Sequence, residues 1–113
     1  MTLGDKQRLF SLNLALLTVW AYENGFEVTQ GDGYRDPRVF GDLGEKKGYG
    51  HKDSAHKMRL AHDLNLFKDG EYLSSTESHK PLGDYWKTLH PLNCWGGDFN
   101  DGNHYSMKHN GVM

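Results

Sequence analysis

The 113-residue chain has a single cysteine, Cys94, so no intramolecular disulfide framework can staple it. Stability has to come from packing, with help from a metal if one is bound. There is no excess of positive charge either: 13 Lys and Arg stand against 15 Asp and Glu, a net charge of −2. That argues against a nucleic-acid partner, which calls for a basic face. Long apolar runs are missing as well. The richest stretch, Leu12 to Trp20, is interrupted by Asn13 and Thr18 and is too short to cross a bilayer, so no membrane insertion is expected. Asp5 and Gln7 precede it and no small-residue cleavage site follows, which speaks against a secretory signal. Repeats, low-complexity tracts and dividing linkers are also lacking. What remains is one domain, 1–113, whose 36% hydrophobic and 12% aromatic residues suffice for one core.

Within that domain the pattern predicts an α+β fold. A first helix starts at Gly4 or Asp5, with Asp5 as N-cap, and ends at Asn24-Gly25. Leu9, Leu12, Leu16, Val19 and Trp20 recur at helical spacing with Phe10, Asn13, Leu14 and Leu17 around them, a breadth that predicts a mostly buried helix. "FEVTQ" (26–30) alternates as a strand does. Residues 31–50 are punctuated by glycines and Pro37 and read as a long loop carrying Tyr34, Arg35 and Arg38. "RLAHDLNLF" (59–67) is a strand with Leu60, His62, Leu64 and Leu66 on one face and Ala61, Asp63, Asn65 and Phe67 on the other. "KDG" (68–70) is a turn and "EYLS" (71–74) its hairpin partner. "PLGDYWKTLHPL" (81–92) reads as a short helix gathering Leu82, Tyr85, Trp86 and Leu89, and "HYSM" (104–107) as a last strand. The expected architecture is a small single domain, an antiparallel sheet packed against an N-terminal helix and a second short helix.

The chemistry centres on two stretches. His62 shares its face with three leucines, the position of a core or core-margin histidine. Asp63 faces the other way, and a carboxylate inside a strand goes against propensity. His56 lies seven positions earlier. That is about 23 Å along one strand or about 10 Å along one helix, too far to share an ion either way. The two meet only if "HKMR" turns the chain before the strand begins; on spacing alone they read as two surface residues. "DGNH" then places Asp101 three residues before His104. A zinc peptidase needs three protein ligands, an open position for water, and a carboxylate that is not a ligand. His56, Asp63 and His104 can be the ligands and Asp101 the base that passes a proton from water to the leaving amine. Arg35 or Arg38 can stabilise the oxyanion.

The pattern S-x-H, six residues, D, followed by D-x-x-H, resembles the M15 family of zinc peptidases, the D-Ala-D-Ala carboxypeptidase and dipeptidase group that includes L-alanyl-D-glutamate endopeptidases used as phage endolysins. The matching residues are Ser54, His56, Ala61 and Asp63 in "SAHKMRLAHD", and Asp101 and His104 in "DGNH". "GYR" (33–35) is similar to the family's arginine segment, and "WGGDF" (95–99) to its lead-in to the final motif. The resemblance implies the fold, one Zn²⁺, the ligands His56, Asp63 and His104 and the base Asp101. An oxyanion role is expected of Arg35 and a substrate contact of Arg38; Ser54 is either a substrate contact, as its match to the family implies, or a loop-capping serine. The resemblance also implies a peptidoglycan stem peptide as substrate. The chain departs from the family pattern at Arg59, where glycine is usual, and at Val39 and Phe40, where a glutamine is often found. Aspartate rather than glutamate at 101 matches the endolysin branch. The expectation is a monomeric phage endolysin cutting the L-Ala–D-Glu bond, made in the host cytoplasm and released to periplasmic peptidoglycan through a holin pore. The alternatives are a D-Ala-D-Ala dipeptidase or carboxypeptidase and a non-catalytic domain that uses zinc only for stability.

The remaining histidines, His51, His79, His90 and His109, have no partner at ligand spacing and read as solvated surface residues. Tyr34, Trp86 and Trp95 are candidates for the cleft wall, with core packing the simpler reading for Trp86. Cys94 reads as packed beside Trp95.

Overall fold

The computed structural model describes residues 1–36, 38, 42–44 and 54–113. Among the described residues the fold is α+β: an N-terminal helix followed by a five-stranded, wholly antiparallel sheet, with a further long helix inserted before its last two strands.

Helix α1 spans Leu3–Glu23. Its N-cap is Thr2, not Asp5. The Thr2 hydroxyl accepts from the Asp5 backbone N–H and the Asp5 carboxylate accepts from the Thr2 N–H, a reciprocal capping box with Asp5 as its third helical residue. The helix ends at Asn24, and Gly25 takes the left-handed conformation (φ 83°) that favours glycine there. Its burial is narrower than the sequence pattern predicts. Phe10, Asn13, Leu17 and Ala21 face the core, while Leu12, Leu16 and Val19 are 56%, 41% and 55% exposed.

The sheet is organised around β2 (Ala61–Lys68). Strand β1 (Glu27–Gln30) pairs with its second half, Val28 opposite Leu66. A turn of Asp69 (φ 52°) and Gly70 (φ 77°), both left-handed as a two-residue hairpin requires, leads to β3 (Glu71–Leu73). Strand β5 (His104–Met107) pairs with the first half of β2, setting Asp63 opposite His104. Strand β4 (Asn93–Trp95) completes the order β1-β2-β5-β4. It follows helix α2 (Lys80–Leu89) and has no signature in the sequence pattern: three residues are too few to show a period.

Leu60, Leu64 and Leu66 are fully buried, as their shared face predicts, against Leu17, Leu82 and Trp86. Trp86 sits in the core rather than the cleft, its indole N–H donating to the carbonyls of Cys94 (3.0 Å) and Ser106 (3.1 Å). Trp95 is buried too, held between two glycines. A Cβ on Gly83 would lie 2.2 Å from its ring and one on Gly97 2.1 Å, so a methyl at either position would displace the indole. Half-exposed Cys94 points its thiol at the Leu92 carbonyl (3.6 Å).

Candidate metal centre

The chain reverses between His56 and Asp63 in the way their convergence demands. Ser54 caps a short 3₁₀ turn, Ala55–Met58, its hydroxyl accepting from the His56 backbone N–H (3.2 Å). Arg59 then takes the left-handed conformation (φ 58°), and the strand begins at Ala61, two residues later than the sequence suggests. A left-handed residue is one that glycine supplies without steric cost. Here an arginine adopts it, its guanidinium 3.9 Å above the Tyr34 ring.

The turn delivers His56 and Asp63 to one point, and the β2–β5 register delivers His104. Asp63 Oδ1 lies 3.5 Å from His56 Nε2 and 3.4 Å from His104 Nδ1. The three ligand atoms all lie within 4.8 Å of one another. These separations are long for a hydrogen bond, and buried Asp63 Oδ1 makes none. They match the spacing of donors around a small tetrahedral ion: two ligands at about 2.0–2.1 Å from zinc stand roughly 3.4 Å apart. His56 is further prepared. Its Nδ1 sits 2.8 Å from the Gly33 carbonyl, which can only accept, so that nitrogen carries the proton and Nε2 presents its lone pair. Burial pushes the Asp63 carboxyl up, but His104 and His56 facing it outweigh that, and the net direction is well below the usual carboxylate range. Asp63 is therefore an anion, ready to ligate. A buried group of two imidazoles and a carboxylate, one oxygen lacking a partner, fits a divalent cation.

The triad lines an open cleft of about 560 Å³ together with Arg35, Ser54, Phe99, Asp101 and the segment Gly111–Met113. Asp101 is exposed and outside the triad. Its position is set by backbone: its N–H donates to the Gly96 carbonyl (2.8 Å), and its own carbonyl accepts from His104 N–H (3.1 Å). Gly96 is required for that closure, because a Cβ there would stand 2.1 Å from the Asp101 carbonyl oxygen and 2.6 Å from His104 Cβ. Arg35 donates to the Ser54 hydroxyl (2.9 Å), with Asp32 at 4.0 Å.

Of the residues singled out in the sequence, Arg35, Ser54, His56, Asp63, Asp101 and His104 are brought together. Arg38 is not in the cleft lining: its exposed guanidinium grips the Asp36 carboxylate and holds that group down at about 2. His62 lies at the core margin on the opposite face of β2, as expected, and burial lowers its pKa. Tyr34 belongs to that same side, beside Arg59 and His62. His79 is not a surface residue: it is 3% exposed, with Nδ1 2.9 Å from the Tyr105 hydroxyl. His51, Val39 and Phe40 lie outside the described residues. The Gly33 carbonyl, Gly96, Phe99 and the Val112–Met113 wall are parts of the site that residue type and spacing do not single out. Only the "GYR" and "WGGDF" likenesses point toward any of them.

No family model matches the chain, and no curated protein matches it significantly.

Proposed function

We propose that the protein is a zinc-dependent peptidase that cuts peptidoglycan stem peptides at the L-Ala–D-Glu bond, in the role of a phage endolysin released through a holin pore. The observation that carries the reading is the convergence of His56 Nε2, Asp63 Oδ1 and His104 Nδ1 in a cleft that also presents a non-ligand carboxylate, Asp101, and a cation, Arg35. A zinc ion held by the triad would supply a Lewis acid for the scissile carbonyl and acidify a water at its open position. Asp101 takes the proton from the attacking water and returns it to the leaving amine. Arg35, steadied by Ser54, faces the carbonyl oxygen as it gains negative charge. The Gly33 carbonyl keeps His56 in the tautomer that leaves Nε2 free to ligate.

The choice of an internal bond rests on the cleft wall. Phe99, Val112 and Met113 offer apolar surface to a chain that continues past the scissile bond. Mass spectrometry of muropeptides released from purified peptidoglycan tests this. New D-Glu amino termini, with L-Ala left on the glycan, are expected. Free D-Ala or the D-Ala-D-Ala dipeptide would make the protein a carboxypeptidase or dipeptidase. No release by zinc-loaded protein would make it a non-catalytic, zinc-stabilised binding domain.

A further inference from the structure

Helix α1 presents a second apolar face, opposite the one it buries. Leu12, Ala15, Leu16 and Val19 are exposed, and at 3.6 residues per turn they fall within an arc of about 100°. The same arc holds Arg8 near the start of the helix and Glu23 at its end. The order of these residues is symmetric about the midpoint between Ala15 and Leu16: Leu12 and Val19 are equidistant from it, and so are Arg8 and Glu23.

We infer that this face is a homodimer contact, two α1 helices packing antiparallel about a two-fold axis at Ala15–Leu16. A two-fold axis presents each surface to its own copy, so a patch can pair with itself only if it is self-complementary. In this register Leu12 meets Val19 of the partner subunit, small Ala15 lets the axes approach where it faces Leu16 of the partner subunit, and Arg8 meets Glu23 of the partner subunit. An arbitrary apolar patch has no reason to carry opposite charges at mirrored positions. The Arg8–Asp5 ion pair, between side chains 76% and 44% exposed, is weak and does not compete strongly. Asp63 and its cleft lie on the opposite face of β2 from the leucines that meet the core, so pairing through the outer side of α1 leaves the cleft open. One helix about 30 Å long makes a small interface, so the dimer is weak and concentration-dependent.

Sedimentation equilibrium of the full chain from about 10 µM to about 1 mM, the range for a small interface, should show the mass rising toward twice the monomer value. Leu16→Lys should hold it at the monomer with an unchanged circular dichroism spectrum. Arg8→Glu should weaken association at least tenfold, and Arg8→Glu combined with Glu23→Arg should restore it, since these surface changes leave the core untouched. A monomer at every concentration, or a dimer indifferent to all these variants, would overturn the inference. So would binding of α1 to phosphatidylglycerol vesicles, lost in Leu16→Lys, without any self-association.

Discussion

Asp101 and His79 show how differently two polar side chains of the same domain are used. Asp101 is exposed at the cleft, and its carboxylate is outside the ligand triad. Asp101→Asn keeps its shape and removes its basicity. Turnover on peptidoglycan should fall by roughly 10²–10⁴-fold, with zinc content by metal analysis unchanged; near-normal turnover would exclude Asp101 as the base. His79 is buried, with its Nδ1 2.9 Å from the hydroxyl of Tyr105, whose own ionisation burial pushes far up. Burial holds the His79 pKa below its ordinary value. The folded protein therefore binds a proton less readily than the unfolded chain. Its contribution is fully present above the unfolded value of about 6.5 and is lost as pH falls below it. Urea midpoints should drop between pH 7.5 and 5.5, and His79→Gln should flatten that slope. Tyr105→Phe should cost about 1–3 kcal/mol, because it leaves a buried ring nitrogen of His79 without its partner.

At the scale of elements, the turn that precedes β2 sets the distance between His56 and Asp63. A left-handed arginine costs about 1–2 kcal/mol. Glycine would remove that strain, while adding roughly 0.5–1 kcal/mol of chain entropy to the unfolded state. It would also forfeit the Arg59–Tyr34 stack, worth about 0.5–1 kcal/mol. These effects nearly cancel, so Arg59→Gly should change stability by less than about 1 kcal/mol in the otherwise native chain. In a Tyr34→Ala background, with the stack already gone, the same substitution should become stabilising. A double-mutant cycle by chemical denaturation reads the difference, and equal effects in both backgrounds would show that the stack does not compensate the strained turn.

For the whole molecule, an ion held by His56, Asp63 and His104, which come from two distant stretches, would make ion binding and folding one equilibrium. Zinc at about 100 times its dissociation constant should add about 2.7 kcal/mol to stability, a rise in Tm on the order of 10 °C for a domain of this size. Calorimetry should show that rise reversed by chelator and abolished in His56→Ala and His104→Ala. His62→Gln, altered on the far side of β2, should keep it. Loss of the increment in His62→Gln with retention in His56→Ala would reverse the assignment of the two histidines.

Features set by near neighbours in the chain are legible in the sequence itself. The two-residue alternation of β2 separates His62 from Asp63, the Asp69-Gly70 turn closes its hairpin, and "HYSM" is a strand with the bounds read from it. Each follows from side-chain direction or backbone sterics within a few residues. The fold class follows from the order of such segments. Other features depend on partners far away in the chain. The apolar residues around α1 give no sign of which side meets the sheet, so Leu12, Leu16 and Val19 read as buried and are exposed. Strand β4 exists because β5 pairs with it, and His79 is internal, its Nδ1 meeting the Tyr105 hydroxyl from β5. The candidate metal centre divides in the same way. Its residue types and spacing are visible in "SAHKMRLAHD" and "DGNH". Bringing Asp63 Oδ1 within 3.4–3.5 Å of both imidazoles requires the left-handed turn at Arg59 and the antiparallel register of β2 with β5, and a register is a relation between strands that neither strand encodes alone.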